Sequence, residues 1–177
     1  MRKLAIIFAA IIFIGSGLLL TGQGLSGRRA PSFALPDSNL KQYDILDYRG
    51  RWLLLDFTKS DCPHCKAFAV ALEQMKAKLG PKVAMLAIVV PPDNTATAAK
   101  YIAETKTTTP ILFDTGQTAM WYFMATPARP HFDAPHLFAI NPQGMMVRDW
   151  SQTEVEAPGF AAELQALVSG AAPGGKK

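Results

Sequence analysis

Cys62 and Cys65 are the only cysteines of the chain, and Pro63 and His64 lie between them. Two thiols at i and i+3 can close a small disulfide ring and reopen it, so the spacing predicts thiol–disulfide exchange. Two cysteines are too few for a structural framework. At a helix start, Cys62 faces the positive end of the helix dipole and free N–H groups, and both favour the attacking thiolate. Cys65, one turn further in, is expected to be more buried and to resolve the intermediate. Cys62 would attack a substrate disulfide to form a mixed disulfide, and Cys65 would then attack Cys62 and release the reduced substrate. The same steps in reverse oxidise a substrate. The pair also suits half of a zinc site, but such a site needs a second ligand pair. No second cysteine pair exists, and His131 and His136 are not at finger spacing. Neither a metal nor a cofactor is expected.

The elements around the pair must hold it at the end of a strand. Residues 52–58 form an apolar run of strand length, interrupted by Asp56. A helix is predicted from Pro63, with Cys62 at the cap and proline at the first helical position, where a missing N–H costs nothing. Phe68, Leu72, Met75 and Leu79 follow at helical spacing, and Gly80-Pro81 ends the helix. Residues 83–90 read as a central strand covered on both faces. Further helices are predicted at 95–104, 115–124 and 159–168, and strands at 111–113 and 136–140, the latter paired through a turn with 145–150. Residues 30–37, with Pro31 and Pro36, read as an edge strand. The segment 126–133, with Pro127, Pro130 and His131, reads as an irregular loop shaping a substrate surface. Alternating strands and helices imply an α/β fold, a central sheet with helices on both faces. The cysteines then lie at the C-terminal end of a strand, where such sheets place their sites.

The 177 residues allow one domain of ordinary size behind an N-terminal segment. Residues 1–21 open with Arg2 and Lys3 and continue as an apolar run over 4–20, broken only by Gly15, Ser16 and Gly17. Its length lies between a signal-peptide core and a membrane span, and no Ala-x-Ala follows, which favours an uncleaved membrane anchor over a cleaved signal peptide. In either case the basic end stays in the cytoplasm and the rest is exported, which places the domain in the periplasm. Residues 22–29 read as a flexible linker, 30–169 as the domain and 170–177 as a disordered tail. Of the 18 Lys and Arg, four lie at the two ends (Arg2, Lys3, Lys176 and Lys177); the remaining 14 balance the 14 Asp and Glu. That neutral body argues against a nucleic-acid partner.

Asp56-Phe57, four residues, then Cys62-Pro63-His64-Cys65-Lys66 resembles the active-site strand and helix of thioredoxin. Ala30-Pro31-x-Phe33-x-Leu35, the strand pair before Trp52, and the stretch from Pro135 to Gly144 resemble the exported, membrane-tethered TlpA/ResA-like thiol–disulfide oxidoreductases, which are often linked to cytochrome c maturation. The resemblance covers about 30–150. It implies a thioredoxin-like fold with a central mixed sheet, a protein thiol or disulfide as substrate, and a membrane electron donor upstream. It also assigns Asp56 as a buried acid that shuttles the resolving thiol's proton. Pro135 matches the cis-proline that brings the Ala134 backbone beside the sulfurs to pair with substrate.

The chain also departs from the pattern. Thr58-Lys59-Ser60-Asp61 replaces an apolar, Trp-rich stretch and puts an acid beside Cys62. His136 after the proline either sits near the sulfurs, as a substrate contact, or occupies a strand edge. His64 bears on direction: the strongly oxidising DsbA also carries Pro-His between its cysteines, and a histidine there can stabilise the thiolate and the reduced protein. The scaffold and Asp56 argue instead for a reductase. Two other chemistries share these residues. A thiol peroxidase would want a threonine three residues before the reactive cysteine, whereas Thr58 is four before it. A copper-handling module would use both cysteines and a histidine.

Overall fold

The computed structural model describes residues 25–129 and 132–170. The apolar leader, the start of the linker, Pro130, His131 and residues 171–177 lie outside them, and so do the anchor and most of the tail expected from the sequence. Among the described residues no helix is long and apolar enough to cross a membrane.

Strand β1 is Arg28–Arg29, and β2 (Ala34–Pro36) pairs with β3 (Gln42–Asp44) as a separate two-stranded ribbon. A 3₁₀ turn at Ile45–Tyr48 leads to β4 (Trp52–Phe57) and α1 (Pro63–Leu79). Then come β5 (Val83–Val89), α2 (Thr95–Thr105), β6 (Ile111–Phe113) and α3 (Gln117–Tyr122). The chain closes with β7 (His136–Ile140), β8 (Met145–Trp150), α4 (Gln152–Val155) and α5 (Phe160–Ser169). The main sheet runs β1-β8-β7-β4-β5-β6, parallel across β4, β5 and β6 and antiparallel across β1, β8, β7 and β4. This is the mixed sheet of a thioredoxin-like fold.

Side chains alternate across the pleat, so each central strand feeds two cores. Leu53, Leu55 and Phe57 of β4 join Leu86, Ile88, Phe138 and Tyr122 on the face covered by α3 and the 3₁₀ turn. Leu54 joins Met85, Leu137 and Trp150 on the other face, under Phe68 and Leu72 of α1 and Phe160 and Leu164 of α5. A second cluster on that face packs Cys65 and Ala69 against Ala87, Val89, Ala98 and Tyr101. Covering on both faces is why β4 and β5 read as unbroken apolar runs. Asp56, between Leu55 and Phe57, shares the face of Leu54, beneath the cysteine helix.

Three elements differ from the sequence expectation. Arg28 and Arg29 fall within the expected linker but pair with Met146 and Met145. Arg28 also caps the end of α3, donating to the carbonyls of Trp121 at 3.0 Å and Tyr122 at 2.6 Å. Helix α3 is shorter than predicted. Gly116, at φ 104°, sets its start, and Asp114 accepts from the backbone N–H of Thr118 at 3.2 Å and Ala119 at 2.9 Å. Helix α4 was missed. Its Ser151 and Glu154 form a capping box, a pattern readable in the sequence.

One clamp ties α1 to the loop after α2. Glu73 accepts from the Thr107, Thr108 and Thr109 hydroxyls and from the backbone N–H of Thr108 and Thr109, all between 2.9 and 3.1 Å. Burial alone would raise the carboxyl's pKa, but these donors outweigh it and hold it at about 2. The folded state therefore favours the carboxylate, a stabilisation present above the ordinary value of 4.5 and lost as pH falls through about 2. Glu73→Gln is expected to destabilise the protein near neutral pH by about 1.5–3 kcal/mol, the range for hydrogen bonds to a charged group. Urea unfolding at a series of pH values checks it: the gap to the parent should close between pH 4.5 and about 2.

Candidate active site

Phe57 ends β4, Thr58 is buried behind it, and three residues turn the chain into α1. Asp93 holds that turn, accepting from the Ser60 hydroxyl and, at 3.1 Å, from the Ser60 backbone N–H. It also accepts from the Thr97 hydroxyl at 2.7 Å. Asp93 was not singled out in the sequence, because Ser60 is distant from it in the chain. Beside the turn lies a cleft lined by Lys59, Asp61, Pro91, Pro92 and Phe132.

Cys62 caps α1 and Pro63 follows at its first position, as predicted. The Cys65 backbone N–H donates to Cys62 Sγ at 3.2 Å. Cys62 is half-buried and Cys65 fully buried, both as free thiols. The Ala134–Pro135 peptide is cis, and Cys62 Sγ donates to the Ala134 carbonyl at 3.8 Å. The structure thus brings together Cys62, Cys65, Ala134 and Pro135, residues far apart in sequence. Burial raises the Cys65 thiol pKa well above its ordinary value, and a hydrogen bond to Cys62 adds to the rise; the Lys59 backbone and the Thr58 hydroxyl act against it.

Asp56 is 5% exposed, and its Oδ1 has no hydrogen-bond partner among the described residues. Burial raises its pKa from 3.8 to about 8. It lines a cavity of about 10 Å³ with Ala69, Ala87, Tyr101, Thr107 and Thr109. Burial raises the Tyr101 phenol's pKa, and the charges of Asp56, Cys65 and Cys62 add to the rise.

His64 and His136 go to different places. The exposed His64 ring meets Glu156, just past α4, with Nδ1 and Oε1 2.5 Å apart. Glu156 was missed because α4 was missed. His136 pairs with Phe57 across the sheet, so its side chain shares the face of Phe57, opposite α1. There it is 6% exposed, packs on Phe123 and Phe138, and sits 3.0 Å from Asp149. It reaches neither the sulfurs nor the surface a substrate would touch, which corrects the expectation of a substrate contact. It is not at a strand edge either, because β7 is flanked on both sides. The Thr58 hydroxyl lies 3.2 Å from the Tyr101 phenol oxygen. Among the described residues no group of three or more His, Cys, Asp or Glu side chains could hold a metal ion.

A cysteine pair on this strand, capping this helix, beside a cis-proline, defines a thioredoxin-like thiol–disulfide oxidoreductase. Residues 26–148 match the AhpC/TSA family, and the chain belongs to that family. The thiol-disulfide oxidoreductase ResA of Bacillus subtilis is 26% identical over 132 residues, 74% of this chain and 70% of that protein. A crystal structure of a candidate thiol:disulfide interchange protein DsbE from Chlorobium tepidum is 27% identical, with a TM-score of 0.65 over 80% of this chain and 95% of that one. Peroxiredoxin Q of Xanthomonas campestris shares the fold at 18% identity, with a TM-score of 0.65 over 85% of this chain and 100% of that one.

Proposed function

We propose that the chain reduces protein disulfides outside the cytoplasm, with Cys62 as the attacking thiol and Cys65 as the resolving one. The observation that carries this reading is the burial difference across one hydrogen-bonded pair: Cys62 is accessible and Cys65 lies directly behind it. Cys62 attacks a substrate sulfur, the Cys62–substrate disulfide forms, and the substrate's other sulfur leaves as a thiolate. Cys65 then attacks Cys62 Sγ, the intramolecular disulfide forms, and the substrate leaves reduced by two electrons. The Ala134 backbone, beside Cys62, offers an extended substrate segment a hydrogen-bonding edge.

Cys65 must lose its proton before it attacks. Two of the influences that raise its pKa come from Cys62, and covalent capture of Cys62 removes them. Asp56, with its pKa at about 8, accepts the proton. The buried acid and the likeness to ResA and DsbE support a reductase rather than an oxidant. So does Glu156, whose carboxylate lies against the His64 ring and offsets its pull on the thiolate. On this reading a membrane dithiol donor returns the protein to its reduced form. The segment 1–21 anchors it at the periplasmic face, and cytochrome c maturation is the setting implied by the resemblance.

Insulin disulfide reduction tests the chemistry. Cys62→Ser is expected to lose turnover, and full retention overturns the mechanism. Equilibration against glutathione tests direction: a potential nearer thioredoxin's, about −270 mV, supports a reductase, and one nearer DsbA's, about −120 mV, overturns it.

A further inference from the structure

His136 directly follows Pro135, and its imidazole is buried where an apolar side chain would fill the space at lower cost. Phe123 and Phe138 pack on the ring, with centroids 4.9 and 4.8 Å from its own. A buried polar ring needs a partner, and Nε2 has one in Asp149 Oδ2 at 3.0 Å. The other oxygen of that carboxylate accepts from the Ser26 hydroxyl at 2.7 Å. Burial raises the Asp149 carboxyl's pKa, but the bonds to His136 and Ser26 and the charges of His136 and Arg148 outweigh it and hold the group below its ordinary value. Asp149 is therefore an anion, and the imidazole donates its Nε2 proton to it. Backbone pairing of β7 with β8 begins at Leu137 and Trp150, one residue after His136. On the β4 side His136 pairs with Phe57. On the β8 side its side chain makes the connection, through Asp149. Two residues before His136, the Ala134 carbonyl accepts from Cys62 Sγ at 3.8 Å. One line of bonded groups thus runs from Ser26 through Asp149 and His136 to the backbone beside the reactive sulfur.

We propose that His136, tied to Asp149, is a positioning residue for the substrate edge: it fixes the Ala134 backbone beside Cys62 and so sets how tightly an extended substrate segment binds. This rests on the Ala134 backbone being the edge that pairs with substrate. Such an edge binds through main-chain hydrogen bonds, which weaken steeply away from their best geometry. An edge whose first strand residue is held on both sides is already in place when substrate arrives. An edge held on one side must be ordered at that moment, and affinity falls by the cost. The imidazole moves no proton and touches no substrate; it acts through two residues of backbone. Leucine at 136 would still fill the space between Phe123 and Phe138, but it would leave the start of β7 joined to β4 alone. The Ser26 hydroxyl, on the far oxygen of Asp149, keeps the carboxylate turned toward the ring.

Two substrates separate positioning from folding in the full-length chain: insulin, a polypeptide disulfide, and dithiobis(nitrobenzoate), which has no backbone to pair. His136→Leu should raise the KM for insulin roughly three- to tenfold, the scale of one ordinary hydrogen bond, and leave kcat little changed. Its Cys62 should react with dithiobis(nitrobenzoate) no more slowly than the parent's. Loss of folded protein would do the reverse, lowering kcat and slowing the small disulfide while leaving KM in place. Asp149→Ala removes the acceptor and keeps the ring, so it should raise KM as His136→Leu does. The double variant should go no further than either single one, the mark of two residues acting as a unit. An unchanged KM in Asp149→Ala, or shifts that add in the double variant, overturns the role of the pair. Cys62→Ser tells the two levels apart. If it still reduces insulin, the mechanism beneath this inference falls as well; if it is inactive and KM stays fixed in the other variants, only this inference falls.

Discussion

Asp56→Asn is expected to make the protein more stable near pH 8 and much slower. The carboxyl's pKa rises from 3.8 in the open chain to about 8 in the fold, because burial disfavours its charge. The folded state therefore binds the proton more tightly than the unfolded state does. Its stability is full below the lower value and declines as pH rises through the window, by up to about 1.4 kcal/mol per pH unit. An uncharged asparagine removes that decline but still buries an amide with an unmet partner, which returns part of the gain. The net increase should be roughly 2–4 kcal/mol at the top of the window and vanish at its acid end. Urea unfolding of parent and variant across the window reads it directly; parallel curves would mean that Asp56 does not ionise there. Turnover should drop roughly a hundredfold, the loss of a positioned proton acceptor. Stability and activity moving in opposite directions would mark Asp56 as a group kept for chemistry at the fold's expense.

Cys65→Ser should stop the cycle at the mixed disulfide. Serine has no sulfur with which to displace the partner, so the Cys62–substrate bond persists, and its lifetime should lengthen by orders of magnitude. The trapped complex should survive non-reducing electrophoresis and dissociate with dithiothreitol. Its partner can then be read by mass spectrometry. Cys62→Ser should trap nothing, because the remaining thiol is fully buried. If Cys62→Ser traps a partner and Cys65→Ser does not, the two sulfurs exchange roles.

Much of this site could be read locally. Proline after a capping cysteine and glycine at the other end of α1 are short-range signals, and both ends of that helix follow from them. The apolar runs of β4 and β5 announced strands covered on both faces. Long-range partners were not legible in this way. Nothing local to Glu73 points to three threonines beyond the next helix, and nothing near His64 points to Glu156. Strand β1 is two residues long and exists because β8 and α3 receive it. His136 shows the limit most clearly. Its proximity in sequence to Pro135 suggested the sulfurs, but strand parity turns consecutive side chains to opposite faces, and pairing with Phe57 decides which face it takes. Asp56 was placed by resemblance; its burial, and with it its proton affinity, needed the fold.

The edge strand β1 also gives the molecule a direction. Moving back along the chain from Arg28, opposite Met146, to Ser26, bonded to Asp149 at 2.7 Å, the backbone climbs β8 toward the end of the sheet where Cys62 lies. Ser26 therefore lies toward the working end of the domain, not the far side. If residues 1–21 are held in a bilayer, a tether joined at that end would keep the reactive sulfur near the lipid. Disulfides carried by membrane-bound neighbours then come within reach more readily than those diffusing in the open compartment.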